Sequence, residues 1–180
     1  MAEKKTLPYS TVAVDNNVNG TCGSTAATIM FLYYYDHIKK YITEKERNSY
    51  NSLTKTLISY IEPKGGGAGY SALKSGINRF LDAKSKSCIA DYVTDSNIIT
   101  SPFAKIKSCI NNKKPCIVGL ESSTPKYGAH WVVGTGYTTY KWSKPDATII
   151  VQKFIQMNDG WGNKGKYINY KYVDGTVYFK

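Results

Sequence analysis

A cysteine between two glycines is the residue of this chain best suited to nucleophilic chemistry. Cys22 follows Gly20-Thr21 and precedes Gly23, and an apolar run continues from there to Asp36. The glycines let the backbone bend tightly around the thiol, and the apolar residues recur at the spacing of a helix face. The pattern predicts Cys22 at a helix N-terminus, with Ser24 and Thr25 capping the first turn. Backbone N–H groups and the macrodipole at that position lower the pKa of a thiol and favour the nucleophilic thiolate. A buried structural cysteine is the alternative interpretation.

A catalytic thiol needs a base, and the chain contains two histidines. His37 follows Cys22 on the same predicted helix, which at 1.5 Å per residue separates the two by roughly 22 Å. A hydrogen bond requires about 3 Å, so His37 is excluded as the base. His130 opens the apolar segment His130-Trp131-Val132-Val133-Gly134, which predicts a strand. A strand in another part of the fold can bring His130 to Cys22, although a purely structural histidine is the alternative.

A catalytic imidazole also needs a partner that fixes its orientation. The segment that ends at Asn158-Asp159-Gly160-Trp161 offers an amide and a carboxylate at the end of the next apolar strand. Adjacent strand residues point to opposite faces, so only one of Asn158 and Asp159 can meet His130. A plain Asp-Gly turn is the alternative. Trp161 is expected to cover the contact and exclude water.

The elements that would position these residues change character along the chain, from helices to strands. We expect an arm or strand at 7–14, helices at 22–42, 43–61, 73–81 and 102–110, and strands at 88–93, 116–120, 129–140, 147–157, 167–172 and 176–179. Thr43 and Glu46 predict a capping box, the glycine run 65–69 a flexible loop, and Asp174-Gly175 a hairpin turn. This order predicts an α+β fold, a helical N-terminal half packed on a C-terminal antiparallel sheet.

Three sequence blocks resemble those of the papain-like cysteine peptidases. They are Asn19-Gly20-Thr21-Cys22-Gly23-Ser24-Thr25-Ala26-Ala27, Gly128-Ala129-His130-Trp131-Val132-Val133-Gly134-Thr135-Gly136-Tyr137, and Met157-Asn158-Asp159-Gly160-Trp161-Gly162. The resemblance is closest to bacterial members: bacteriocin-processing peptidases, their C39-like relatives and streptopain. It implies a papain-like fold with a central nucleophile-bearing helix, Cys22 as nucleophile and His130 as general base and acid. For the third residue, bacteriocin-processing enzymes favour Asp159 and streptopain favours Asn158; we favour Asp159.

The oxyanion donor departs from the family pattern. The family usually places a glutamine six residues before the nucleophile, where this chain has Asn16. Asparagine carries the same amide on a shorter side chain, and an oxyanion donor must lie about 2.7–3.1 Å from the developing charge. Asn16 is therefore the candidate donor beside the Cys22 N–H, with Asn17 and Asn19 as alternatives.

Length and composition limit the other function classes. The 180 residues predict one domain, 1–180. The net charge is +11, but the lysines are scattered and no nucleic-acid-binding motif accompanies them, so we expect a peptide or protein substrate and no nucleic acid. No apolar segment reaches the ~20 residues of a membrane span. Two histidines and cysteine spacings unlike zinc patterns predict neither a metal nor another cofactor. The N-terminus lacks the apolar core of a signal peptide; an extracellular protein with a presequence outside this chain is favoured over a cytosolic one.

The combined prediction is a cysteine peptidase that works through a thioester. An acyl- or peptidyl-transferase, or an amidase, on the same triad is the alternative, because an amine other than water can resolve the thioester. A peptide-binding module that has lost catalysis is a third hypothesis, motivated by Asn16. Substrate specificity, oligomeric state and disulfide state are left open by the sequence.

Overall fold

The protein is an α+β structure, described here from a computed structural model for residues 1–15, 20–96 and 99–180. The predicted α+β class is confirmed. The elements are β1 (Ala2–Thr6), α1 (Cys22–His37), α2 (Glu44–Asn48), α3 (Tyr50–Ile61), α4 (Tyr70–Ala83), β2 (Ala90–Thr94), α5 (Pro102–Asn111), β3 (Cys116–Leu120), β4 (His130–Ser143), β5 (Ile149–Asn158), β6 (Lys166–Asn169), a 3-10 turn (Tyr170–Tyr172) and β7 (Val173–Phe179).

One sheet of seven antiparallel strands organises the described part of the chain. Its order is β2-β7-β3-β4-β5-β6, and β1 pairs with β4 beside that path. The first half of β4 pairs with β3, with His130 opposite Leu120. The second half pairs with β1, from Gly136 to Tyr140. His130 therefore begins a strand in the middle of the sheet, at the end nearest the helical half.

Helix α1 is the central element of the helical half. Its residues from Gly23 to Tyr34 are all buried, which is why the sequence shows no polar face there. It packs with α3, α4 and residues such as Ile117 and Val133 on one face of the sheet. Helix α5 covers the opposite face through Phe103, Ile106 and Ile110. The central strand β3 is thus buried on both sides, and the first turn of α1 lies against Trp131 at the start of β4.

The N-terminal third differs from the predicted elements in three places. The first strand is β1 at 2–6, which was not predicted, and 7–14 forms an arm without a strand, the second of the two predicted alternatives. Helix α1 ends at His37 rather than at 42, and Tyr41 packs its ring 5.6 Å from that of Phe179 instead of continuing the helix. The predicted helix at 43–61 is divided at Ser49 into α2 and α3. The capping box of Thr43 and Glu46 is confirmed.

The predicted hairpin turn at Asp174-Gly175 is wrong, because both residues lie inside β7. Gly175 is paired with Gly119 of β3, and together they leave room for the ring of Tyr70. A Cβ on Gly175 would lie 2.5 Å from Cζ of that ring. The Tyr70 hydroxyl donates a hydrogen bond to the Asp174 carboxylate. The glycines therefore serve a close packing contact rather than a turn.

Candidate active site

An open cavity of about 420 Å³ is lined by residues from both the helical half and the sheet. Cys22 from α1 and His130 from β4 both line it. The glycine segment 66–69 forms another part of the wall, and Tyr70 and Asp174 lie in the same lining. Two residues that are remote in sequence and were predicted to work together thus face one solvent-accessible space.

Cys22 is the first residue of α1, as predicted, but its thiol is less acidic than its position suggests. Burial raises the pKa of the Cys22 thiol above its usual value of 9.0. The backbone N–H groups of Trp131, Gly23 and Cys22 oppose this increase, and the negative charge of Glu62 adds to it. The stabilisation of the thiolate expected at a helix N-terminus is therefore present but outweighed, and Cys22 is a thiol at neutral pH.

The imidazole of His130 is buried, and one of its two nitrogens has a hydrogen-bond partner. Its Nε2 lies 2.7 Å from the backbone carbonyl oxygen of Asp159. A carbonyl oxygen can only accept, so Nε2 carries the proton and Nδ1 of the neutral ring keeps a free lone pair. Burial lowers the pKa of His130 below 6.5, while the Asp159 carbonyl and charge act in the opposite direction. At neutral pH the ring is an unprotonated base with Nδ1 as its acceptor.

The carboxylate of Asp159 bonds to its own turn and to Tyr127 rather than to His130. Its Oδ1 accepts from the backbone N–H of Trp161 at 2.9 Å and of Asn163 at 3.1 Å. Its Oδ2 accepts from the Asn163 side chain at 3.0 Å and from the Tyr127 hydroxyl at 3.3 Å. The expected side-chain contact with the imidazole is replaced by a main-chain one, because the carboxylate closes its own turn.

Asn158, the alternative third residue, does not contact the imidazole either. Its Nδ2 donates to Thr11 Oγ1 at 3.0 Å and to the Val12 carbonyl at 2.8 Å. Its Oδ1 accepts from the Gly160 N–H at 3.1 Å. These bonds attach the N-terminal arm to the end of β5, which gives Asn158 a structural position.

Two aromatic rings pack around His130. The Trp161 ring lies 4.6 Å from the imidazole, centroid to centroid. Tyr127 stacks on Trp161 at 5.2 Å and lies 5.9 Å from His130. This agrees with the expected covering role of Trp161 and explains the burial of the imidazole.

Sequence reasoning missed Glu62, which lies at the start of α1 in space. Its carboxylate accepts hydrogen bonds from the backbone N–H groups of Gly23 and Ser24 and from the Ser24 hydroxyl. The predicted caps Ser24 and Thr25 do not cap the helix, and the N-cap residue Thr21 makes no side-chain capping bond. One signal was available: Glu62 follows directly after α3, and a negative charge at a helix C-terminus is unfavourable unless something else binds it.

Trp131 and Tyr70, which were also missed, hold the glycine wall of the cavity. The Trp131 indole N–H donates to the Ala68 carbonyl at 2.7 Å. The Tyr70 and Trp131 rings meet edge to face, with centroids 4.7 Å apart. The residue next to the imidazole therefore also fixes the opposite wall.

Asn16, the candidate oxyanion donor, lies outside the described residues, as do Asn17 and Asn19. His37 is exposed and stacks on Tyr9 at 4.2 Å. Within residues 1–15, 20–96 and 99–180, no group of three or more His, Cys, Asp or Glu side chains could hold a metal ion. No helix of those ranges has the length and apolarity to cross a membrane.

The crystal structure of SERA5E from Plasmodium falciparum is 10% identical and covers 93% of this chain and 89% of that chain, with a TM-score of 0.47. No curated protein matches the sequence. The family model described as "Peptidase_C39 like family" matches residues 6–178, nearly the whole length and all three sequence blocks. The chain belongs to the Peptidase_C39-like family.

Proposed function

We propose that this protein is a cysteine peptidase in which Cys22 attacks the peptide bond and His130 transfers the protons. The observation that carries the proposal is the shared cavity: a thiol at a helix N-terminus and a buried imidazole line the same open space. The hydrogen bond from Nε2 to the Asp159 carbonyl leaves Nδ1 as the acceptor a thiol proton requires. Membership of a peptidase family supports the reaction class.

The chemistry begins from a neutral pair. As Cys22 Sγ attacks the carbonyl carbon of the scissile bond, its proton moves to Nδ1 of His130, and the carbonyl oxygen becomes an oxyanion. The Cys22 backbone N–H and the Asn16 amide are the proposed donors to that oxygen. The imidazolium then protonates the leaving amine, the C–N bond breaks, and a thioester remains on Cys22. Water, deprotonated by His130, attacks the thioester and releases the carboxylic acid and the thiol.

Asp159 takes the orienting role in this proposal through its backbone rather than its side chain. Its carbonyl oxygen selects the tautomer of His130. Its carboxylate favours the imidazolium by charge, since it raises the pKa of the ring against the effect of burial. The proposed mechanism requires neither a metal nor an organic cofactor.

The experiment that tests the proposal compares the wild type with Cys22→Ala on a mixed peptide library, with products identified by mass spectrometry. We expect the wild type to cleave and Cys22→Ala to show no product above background. Cys88→Ala is the matched control, because that thiol is buried in the hydrophobic core and should leave cleavage unchanged. Equal cleavage by wild type and Cys22→Ala would exclude Cys22 as the nucleophile.

A peptidyl chloromethyl ketone provides a second, substrate-independent readout. Intact-mass analysis should show one adduct, mapped to Cys22. Adding small amines during library cleavage distinguishes hydrolysis from acyl transfer, because a transferase yields amidated products. Peptide binding without cleavage or adduct in the wild type would favour a module that has lost catalysis.

A further inference from the structure

Glu62 is a buried carboxylate that the proposed mechanism does not use. It is 2% exposed and follows the last residue of α3 as its C-cap. Its Oε1 accepts from the Gly23 N–H at 3.3 Å, and its Oε2 accepts from the Ser24 N–H at 3.1 Å and the Ser24 hydroxyl at 2.5 Å. The carboxylate thus replaces the missing side-chain N-cap of α1, one residue after the nucleophile.

This position is costly for a carboxylate. Burial raises the pKa of Glu62, and the bonds from Ser24 and Gly23 only partly offset it. Among the described residues, no lysine or arginine forms an ion pair with it. The last carbonyls of α3 also disfavour a negative charge at this end of the helix. A buried carboxylate without an ion-pair partner is destabilising except where hydrogen bonds compensate it, and such carboxylates cluster at functional sites.

The surroundings leave space for the carboxylate to approach α1 closely. A Cβ on Gly23 would lie 3.0 Å from Glu62 Oε1 and 3.4 Å from Trp131 Cδ1. A larger residue at position 23 would displace the Glu62 carboxylate by a few tenths of an ångström, so Gly23 favours this contact as well as bending the chain. The Glu62 carbonyl also accepts from the Gly65 N–H at 2.9 Å, at the start of the glycine wall. One residue thus connects the nucleophile's helix turn with the wall of the cavity.

Accepting Cys22 as the nucleophile of the proposed peptidase, we propose that Glu62 is its positioning residue. The carboxylate holds the first turn of α1 in place, and its negative charge adds to the effect of burial in keeping Cys22 a thiol until His130 accepts the proton. The Gly23 N–H that would stabilise a thiolate is shared with Glu62, so the carboxylate and the thiolate compete for the same end of the helix.

Among the titratable groups near Cys22, Glu62 carries the charge that opposes ionisation of the thiol. From β4 the neutral imidazole of His130 lines the cavity, and Tyr70 and Asp174 line it as well. On α1 itself, Asp36 and His37 lie at the far end. Of the described charged groups, Glu62 is the one whose charge raises the pKa of the Cys22 thiol.

The decisive experiment replaces Glu62 by glutamine, which preserves the shape and an acceptor oxygen but removes the charge. The readout is the rate of Cys22 alkylation by iodoacetamide between pH 6 and 11, followed by peptide mapping. A charge within about 4–6 Å shifts a pKa by about 1–3 units. Because Cys22 is partly exposed, we expect Glu62→Gln to lower the alkylation midpoint by about one pH unit, the lower end of that range. Glu44→Gln, on the exposed face of α2, is the matched control and should leave the midpoint unchanged.

A folded Glu62→Gln protein with the wild-type midpoint would overturn the inference. A reciprocal measurement on the unmutated chain covers the case in which the variant does not fold. Cys22 is capped with iodoacetamide, which adds a neutral group, or with iodoacetate, which adds a carboxylate. Carboxyl ¹³C NMR of glutamate-labelled protein then follows the titration of Glu62. We expect a higher Glu62 midpoint with the charged cap, and equal midpoints would contradict the proposal.

Neither readout depends on peptide cleavage, so the two proposals can fail separately. An unchanged alkylation midpoint in an enzyme that still cleaves through Cys22 refutes only the role of Glu62. Absence of cleavage and of a chloromethyl ketone adduct in the wild type refutes the peptidase, whatever the alkylation profile shows.

Discussion

Two buried carboxylates, Asp159 and Glu62, each hold a turn next to a proposed catalytic residue. Asp159 is 0% exposed and Glu62 is 2% exposed. Asp159 accepts from the backbone of Trp161 and Asn163 and so closes the turn whose carbonyl binds His130. Glu62 accepts from the first turn of α1, next to Cys22. Neither carboxylate accepts a hydrogen bond from the Cys22 thiol or the His130 imidazole: their donors lie in the two turns and at Tyr127.

The two differ in what their charges do. The charge of Asp159 raises the pKa of His130 and makes it a better base. The charge of Glu62 raises the pKa of Cys22 and makes it a weaker acid. Burial drives both reacting groups towards their neutral forms. On the sheet side, Asp159 favours proton acceptance by His130. On the helix side, the proposed role of Glu62 is to position Cys22 and to oppose its ionisation.

The largest expected effect comes from removing the base itself. His130→Ala should lower kcat/KM by roughly 10²–10⁴-fold, the usual contribution of a general base. The measurement is peptide cleavage under initial-rate conditions. His37→Ala is the matched control, because that exposed imidazole stacks on Tyr9, remote from the cavity, and should leave the rate unchanged. Comparable losses in both variants would remove the distinction between the two histidines.

A smaller loss is expected from Asp159→Asn. The backbone carbonyl that binds His130 is retained, and an amide oxygen can still accept from the two backbone N–H groups at Oδ1. We expect about a tenfold decrease in kcat/KM, from the lost charge and the rearranged contacts at Oδ2, equivalent to about 1.4 kcal/mol. A side chain that itself orients a catalytic imidazole is worth about 10⁴-fold. A loss of that size in a folded variant would show that the carboxylate, not the carbonyl, supports His130 during the reaction.

The pH dependence of peptide cleavage tests the pKa shifts of His130 and Cys22. His130 must be neutral to accept a proton, and burial places its pKa below 6.5. Activity should therefore fall on acidification with a midpoint below pH 6.5, and because the pKa of Cys22 is raised it should persist past pH 8. Asp159→Asn removes a charge that raises the imidazole pKa, so its acid midpoint should move lower still. A midpoint that moves upward would contradict the proposed effect of Asp159.

Local patterns in the sequence predicted the elements that carry Cys22 and His130, but not the contact that Glu62 makes with the first turn of α1. The cysteine block, the start of α1, the capping box at Thr43 and the strand at His130 all rest on short-range signals, and the structure contains each of them. The Asp-Gly turn after β5 was the alternative interpretation of that segment, and Asp159 does bind backbone groups two and four residues away. Glu62 meets partners that are 38 and 39 residues distant, and no local pattern encodes such a contact.

The errors have the same physical origin. Asp174-Gly175 has the composition of a turn, but Gly175 is needed in β7 because the Tyr70 ring lies against it. The acidity of Cys22 was inferred from its helix terminus alone, whereas burial and the charge of a residue from another helix decide it. The side chain of Asp159 was expected to bind His130, but its own turn occupies it first. In each case a tertiary contact overrides the local preference.

The smallest catalytic effect is expected from Asn158→Ala, which tests whether Asn158 belongs to the site or to the scaffold. The change leaves Thr11 and the Val12 carbonyl without their donor and the Gly160 N–H without its acceptor. Unsatisfied buried groups cost about 1–3 kcal/mol each, so the free energy of unfolding should fall by at least that amount in urea titrations. The rate per folded molecule should change by less than about threefold, under 0.7 kcal/mol, because the imidazole keeps its bond to Asp159. A stable variant with a hundredfold lower kcat would instead assign Asn158 to the catalytic group, and Asp159 would then be the residue that merely closes the turn.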